Sequence, residues 1–464
     1  MPSRPGTRLA VIAGVLVLAV GGGVGAGLGA PALVGRFGAA SPEVPPPPPP
    51  VVAEPALRPV GADAPAPTPA GVAALLDPLV AQGRLGALSG KVIDPATGTV
   101  LWQHDPGATL VPGSTAKLLT ASAALLALDH QARLSTTVVA GAEPGTVVLV
   151  GGGDPTLSAL PAGEESVYPG AAHLDALVAQ VRAATPGPVN RVVVDPGRYT
   201  GDGLAPGWLP ADVAGGYIAP IVPVMLDGGR ADPTDPTSAR SSTPARDAAA
   251  ELARRLGADP AATAVGTAPP GAPVLGTVQS APVEDLVTTV LRTSDNVLAE
   301  VLAREVALAV SAQPSFAGAT EAVLRVLAGN GFDVGAATLA DGSGLSVRDE
   351  VSAALLADLL ATAAGPDDGA PRTAALRPLL VGLPVAGGTG TLFDRYVAGE
   401  AADGRGWVRA KTGTLTRVNS LAGTVLTADG RLLAFALLSN GASPSVARPL
   451  LDEMAAALRS CGCR

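Results

Sequence analysis

Lysine is nearly absent from this chain. Of its 31 basic residues only Lys91, Lys117 and Lys411 are lysines. Arginine keeps its proton near neutral pH, so almost all of the positive charge is barred from acting as a base. Cysteine is confined to Cys461 and Cys463 at the C-terminus, and the three histidines, His104, His130 and His173, are scattered. That scatter argues against a zinc site. It also argues against a Ser-His-Asp hydrolase, for which no Gly-x-Ser-x-Gly elbow is present either. Aromatics make up 3% of the chain, so the 47% hydrophobic content must pack as small aliphatic side chains. No basic run follows the N-terminus and the formal net charge is −9, which speaks against a nucleic-acid partner.

What is present begins with an address. Residues 1–8 carry Arg4 and Arg8 and read as a cytoplasmic tail. Residues 9–35 form an apolar run broken only by glycines and Pro31. It is long enough to span a bilayer, with the arginines left inside. Its length favours a membrane anchor, and the small residues around Ala26–Ala30 leave a cleaved signal peptide as the rival. Residues 36–70 form a proline-rich linker in which Pro45 through Pro50 are uninterrupted. Such a run adopts polyproline II at about 3.1 Å per residue and acts as a spacer. Cys461 and Cys463 read first as a frayed end, with a strained disulfide or a pairing with another chain as the alternatives.

Globular patterning starts near Gly71, and at 464 residues the chain can hold two or three domains. Leu88–Ile93 and Thr99–Trp102 predict a strand pair, and 115–128 a helix with Ser114 as its N-cap. Residues 134–281 read as an inserted α/β domain with strands at 146–150 and 191–194, helices at 174–184 and 245–256, and a long surface loop at 226–243. Residues 71–133 and 282–464 would then form one catalytic domain. In it, helices are predicted at 282–292, 295–310, 316–329, 350–363 and 444–458. A strand is predicted at 407–411 and a hairpin at 420–439. Strands at both ends of the globular part imply one sheet built from both.

Three short motifs carry chemistry. Ser114 and Lys117 are spaced to share one helix face, about 5–6 Å apart at Cβ. The surrounding leucines would bury the lysine, disfavour its charge and make it a base for the serine. Ser294-Asp295-Asn296 falls at a break between two helices, where Ser294 can relay a proton and Asn296 can donate to a peptide oxygen. Lys411-Thr412-Gly413-Thr414 is expected at a strand end. There Gly413 admits a substrate backbone, Thr412 and Thr414 offer hydroxyls to a carboxylate, and Lys411 adds positive potential. The Thr414 and Ser114 N–H groups could form an oxyanion hole. Each motif alone has an ordinary reading: an N-cap, a surface asparagine, a strand running into a turn.

Together and in this order they make the S-x-x-K, S-x-N and K-T-G signature. The chain resembles the class C low-molecular-mass penicillin-binding proteins, the D-alanyl-D-alanine carboxypeptidases and endopeptidases of peptidase family S13. The resemblance covers residues 72–460. It is strengthened by Gly151-Gly152-Gly153-Asp154-Pro155-Thr156-Leu157, Asp341-Gly342-Ser343-Gly344-Leu345-Ser346 and Gly388-Thr389-Gly390-Thr391-Leu392. Gly113 and Ala116 stand where the family often has alanine and glutamine, and the inserted segment is shorter than in familiar members.

The resemblance implies an α/β (α+β) penicillin-binding-protein/serine β-lactamase-like transpeptidase fold: an antiparallel sheet flanked by helices, an all-helical lobe and the inserted α/β domain. It implies Ser114, Lys117, Ser294, Asn296 and Lys411 as catalytic residues, and Thr412, Gly413 and Thr414 as substrate-binding ones. No metal or organic cofactor is expected. The implied partners are peptidoglycan stem peptides, β-lactam antibiotics and, through the N-terminal segment, a membrane. The place is the extracytoplasmic face of the bacterial cell membrane or the cell wall. A β-lactamase and a catalytically vestigial cell-wall binding protein are the alternatives, and carboxypeptidase against endopeptidase stays open. Of the remaining residues, Asp154 is expected in a turn, Trp208 and Tyr217 in packing, Asp341–Leu345 at the cleft rim and Lys91 in solvent.

Overall fold

The computed structural model describes residues 64–367 and 369–462. The tail, the apolar run and the linker as far as residue 63 lie outside the described residues. No helix among the described residues is long and apolar enough to cross a membrane. The end of the expected linker is already helical. Thr68 caps α1 (Pro69–Val80) by accepting from Gly71 N, with Pro69 in the first turn, where a missing N–H costs nothing.

From α1 the chain enters β1 (Gly86–Asp94), β2 (Thr99–His104) and the short β3 (Thr109–Leu110), then a 3₁₀ turn at Gly113–Ala116 and α2 (Lys117–Ala127). The inserted segment follows as β4 (Arg133–Ala140), β5 (Thr146–Gly152), α3 (Leu174–Ala184), β6 (Arg191–Asp195), α4 (Pro210–Ala214), α5 (Pro244–Leu256), β7 (Ala264–Val265) and β8 (Val274–Pro282). The helical part comprises α6 (Val283–Thr293), α7 (Asn296–Ala309) and α8 (Phe316–Gly329). Then come β9 (Val351–Ser352), α9 (Ala353–Ala364) and α10 (Pro371–Gly382). The chain closes with β10 (Val408–Leu415), β11 (Val418–Leu426), β12 (Leu432–Gly441) and α11 (Pro444–Arg459).

Both ends of the globular part build one antiparallel sheet, ordered β10-β11-β12-β1-β2. Side chains alternate faces along a strand, and β12 uses this to set two different packing distances. Leu433, Phe435 and Leu437 join the core under α1 and α11. Ala434, Ala436 and Leu438 face the helical core, where small alanines let α9 approach closely. At the centre of the helical lobe, α7 is buried on every side from Val297 to Ala307. The inserted segment forms its own sheet, β7-β6-β5-β4-β8, covered by α3 and α5.

Several expectations need correction. Ser114 does not cap a helix: it lies inside the 3₁₀ turn, which has no side-chain cap. The K-T-G segment does not end a strand, because β10 runs on to Leu415 through full pairing with β11. The 226–243 loop is not wholly superficial, since Asp227, Ser238 and Arg240 are buried. Strands β4 and β8 and helix α10 lie where the sequence suggested no element. Cys461 is buried and disulfide-bonded, and Cys463 lies outside the described residues.

Candidate active site

The site forms where the turn before α2, the break between α6 and α7, and the edge strand β10 meet. Gly113 takes φ +54°, and a Cβ there would sit 3.2 Å from Thr414 N. A Cβ on Gly413 would sit 3.0 Å from Ser114 N and would strike Ser420 Oγ and the Pro112 carbonyl. Glycine at both positions is therefore what lets the nucleophile turn press against the strand. The Pro112 carbonyl accepts from Ser420 Oγ (2.6 Å) and Thr115 Oγ1 (2.8 Å), which pins the turn to β11.

Lys117 is fully buried. Its Nζ lies 3.1 Å from Ser114 Oγ, 2.5 Å from Asn296 Oδ1 and 2.7 Å from the Ser343 carbonyl. Burial brings its pKa from 10.5 down to about 8, against the pull of Asp341, Glu300, Asp295 and Asp349. A neutral amine has two N–H groups and one lone pair. Asn296 and Ser343 offer only acceptors, so they take the two N–H groups and leave the lone pair for the Ser114 hydroxyl.

Ser294 holds φ +63° at the end of α6, a conformation rarely kept by a non-glycine residue without cause. In it, Ser294 Oγ accepts from Lys411 Nζ at 2.9 Å, and Lys411 also donates to the Thr412 carbonyl at 2.8 Å. Burial, then the charge of Lys117, hold Lys411 well below the ordinary lysine range. Asn296 Nδ2 donates to the Tyr217 carbonyl at 2.8 Å. Ser114, Tyr217, Ser294, Asn296, Thr414 and Arg417 line an open cleft of about 720 Å³, a size suited to a short peptide.

Ser114, Lys117 and Asn296 thus form one hydrogen-bonded group and Ser294 and Lys411 a second, brought together at one cleft with Thr414 on its wall and Gly413 against the Ser114 turn. Thr412 is the exception: it is buried and its hydroxyl pairs with Thr391 Oγ1 at 2.8 Å. Sequence reasoning missed the Ser343 carbonyl and its support. Asp341 Oδ1 accepts from the N–H groups of Ser343 (2.9 Å) and Gly344 (2.6 Å), and Oδ2 from Ser346 N and Trp208 Nε1, both 2.7 Å. Both Glu300 oxygens accept from Gly342 N at 3.0 Å. The spacing Asn296, Glu300, Arg304 was the available signal, since it sets one face of α7 against this loop.

Asp341 is fully buried, so it organises the rim from beneath. Tyr217 is not a packing residue, being 61% exposed at the cleft. Lys91 is not free in solvent but pairs with Asp358 at 2.6 Å. Asp154 makes the expected turn contacts, accepting from Thr156 N at 2.8 Å, yet it is fully buried.

A serine beside a desolvated lysine, a second serine–lysine pair and a strand edge on one cleft define the active-site-serine, penicillin-recognising class. The model of the D-Ala-D-Ala carboxypeptidase 3 (S13) family matches residues 72–238 and 231–461, and the chain belongs to that family. It is 47% identical over 431 residues to a carboxypeptidase of Mycobacterium tuberculosis, covering 92% of each chain. It is 46% identical over 465 residues to the carboxypeptidase DacB of Mycolicibacterium smegmatis, covering 99% of this chain and 98% of the relative. In fold it matches the crystal structure of penicillin binding protein 4 from Haemophilus influenzae. That match has a TM-score of 0.67 at 21% identity and covers 84% of this chain and 98% of the other.

Proposed function

We propose that the chain is a serine-type D-alanyl-D-alanine carboxypeptidase acting on peptidoglycan stem peptides through an acyl-enzyme on Ser114. The observation that carries the reading is the Lys117 amine, buried and 3.1 Å from Ser114 Oγ with both of its other partners acceptors. Lys117 takes the hydroxyl proton as Ser114 Oγ attacks the penultimate D-alanine carbonyl. The N–H groups of Ser114 and Thr414 receive the oxyanion. Collapse breaks the peptide C–N bond, and Ser294, held by Lys411, relays the proton taken up by Lys117 to the leaving D-alanine amine, so that Lys117 is neutral again. Water then attacks the acyl carbonyl as Lys117 accepts its proton, and Lys117 returns that proton to Ser114 Oγ as the ester C–O bond breaks and the shortened peptide leaves. Thr414, which lines the cleft, receives the terminal carboxylate, with buried Lys411 and Thr412 behind it. A β-lactam acylates the same serine and leaves slowly.

On this reading the catalytic part works outside the cytoplasm, on a proline-rich spacer from a membrane segment at residues 9–35. The test is incubation of purified protein with pentapeptide muropeptides, with products read by mass spectrometry. The expected product is the tetrapeptide plus free D-alanine, lost in Ser114→Ala together with labelling by a fluorescent penicillin. A Ser114→Ala protein still labelled at the same site would overturn the nucleophile assignment. Cleavage of cross-linked dimers in the same digest would add endopeptidase activity to the reading.

A further inference from the structure

Asp295, the middle residue of the Ser-Asp-Asn motif, has no part in the mechanism above, yet it is among the most heavily bonded side chains in the fold. Its Oδ1 caps α7 by accepting from Leu298 N at 2.8 Å. Its Oδ2 receives three donors: Arg230 Nη2 at 2.7 Å, Arg240 Nη2 at 2.9 Å and the Tyr168 hydroxyl at 3.0 Å. The side chains of Asp295, Arg230 and Arg240 are only 1%, 4% and 3% exposed. All three donors come from the inserted segment, not from the segments that carry the catalytic motifs. Arg240 is itself fixed by the Gly216 and Gly228 carbonyls at 3.0 and 2.7 Å. The same segment supplies the Tyr217 carbonyl that accepts from Asn296. The two arginines also share a recess of about 150 Å³ with Ser294 and Asn296.

We infer that Arg230 and Arg240 are positioning residues for the reaction. Through Asp295 they hold Ser294 in its left-handed conformation and keep the Asn296 carboxamide on Lys117. The physical case rests on what lies on either side of Asp295. Ser294 keeps a backbone angle that it would leave if released, and Asn296 begins a helix whose first turn is fixed by the Asp295 cap. A carboxylate this buried is locked only while its counter-charges are present, because removing one partner leaves a buried charge uncompensated. The inserted segment is therefore part of the catalytic apparatus and not only a wall of the substrate cleft.

This inference rests on the Ser114 acyl-enzyme reading, and the experiment separates the two. Full-length protein is labelled with a fluorescent penicillin, and both the rate and the final label per chain are recorded. An unlabelled wild-type chain would refute the acyl-enzyme reading on its own and leave the clamp without a reaction to serve. With wild type labelled, Arg240→Ala and Arg230→Ala are each expected to slow acylation about tenfold and the pair about a hundredfold, with one label still bound per chain. In D-alanine release the loss is expected in kcat and not in KM. Arg240→Lys should recover part of the rate. Wild-type rates in the double variant would overturn the proposal. If the alanine variants misfold, shown by label falling well below one per chain, Arg240→Lys and Tyr168→Phe decide. Slowed acylation at full label in either supports the clamp, and wild-type rates in both overturn it.

Discussion

At the scale of single residues the chemistry turns on the protonation of Lys117. With burial bringing its pKa to about 8, acylation is expected to rise with pH as the amine loses its proton and to reach half its plateau near that value. Stopped-flow acylation by a fluorescent penicillin between pH 6 and 10 measures this, and a profile flat through that range would refute the base assignment. Lys117→Arg keeps a cation of similar reach but cannot deprotonate, so it should lower acylation by about 10²–10⁴-fold. The pair was legible from the scarcity of lysine and the i, i+3 spacing, both properties of side-chain type. The Ser343 carbonyl was not, because every residue has a carbonyl and only the fold decides where it points. For the same reason the spelling could not show that the Thr412 hydroxyl pairs with Thr391. In a K-T-G motif the spelling gives the strand, but not which hydroxyl its neighbours engage.

At the scale of elements, β10 shows how a strand edge becomes a binding surface. It is the outermost strand of its sheet: one edge pairs with β11, the other bonds to Pro384 and Ala386 at Ala410 and Val408, and the nucleophile turn packs on its face at Gly413. Gly413 is the point of closest approach. Gly413→Ala should push the Ser114 turn away from the strand, separating the two oxyanion donors. The expected result is acylation slower by about 10²-fold, with a stability loss of about 1–3 kcal/mol from overpacking. Labelling kinetics and thermal unfolding check the two parts, and an alanine variant with wild-type kinetics would sink the oxyanion assignment. The end of β10 was misread because Thr and Gly after Lys411 carry turn chemistry in composition, while the register with Leu421, Ser420 and Asn419 keeps them paired. The 226–243 loop was misread for a related cause. Its Gly, Pro, Asp and Ser content speaks of turns, but the two arginines it carries find a buried carboxylate distant in sequence. Strong alternation and long apolar runs, as in β12 and α7, were legible; pairing by distant charge was not.

At the scale of the whole molecule the buried carboxyls set how stability responds to pH. Burial raises Glu300 from 4.5 to about 7, with Asp341 adding to it, and burial raises Asp154 from 3.8 to about 6. In both, the folded chain holds the proton more tightly than the unfolded chain. Between about pH 4 and 7 unfolding therefore releases protons, and stability falls as pH rises through that window. Asp295 works the other way. Burial alone would raise it, but Arg240 and Arg230 outweigh that and hold it well below the usual carboxylate range. Its contribution is complete above the unfolded value near 4 and is lost only in strong acid, so it does not titrate in the window. A shift of the size seen at Glu300 corresponds to roughly 3 kcal/mol. The melting temperature should thus drop by a few degrees between pH 5 and 7, measured by calorimetry across that range. Glu300→Gln keeps an acceptor for Gly342 N but has no proton to release, so it should remove a large part of the slope. A variant with the wild-type slope would show that Glu300 does not titrate in the folded chain, and the carboxylate under the Ser343 loop would then be charged throughout the working range of Lys117.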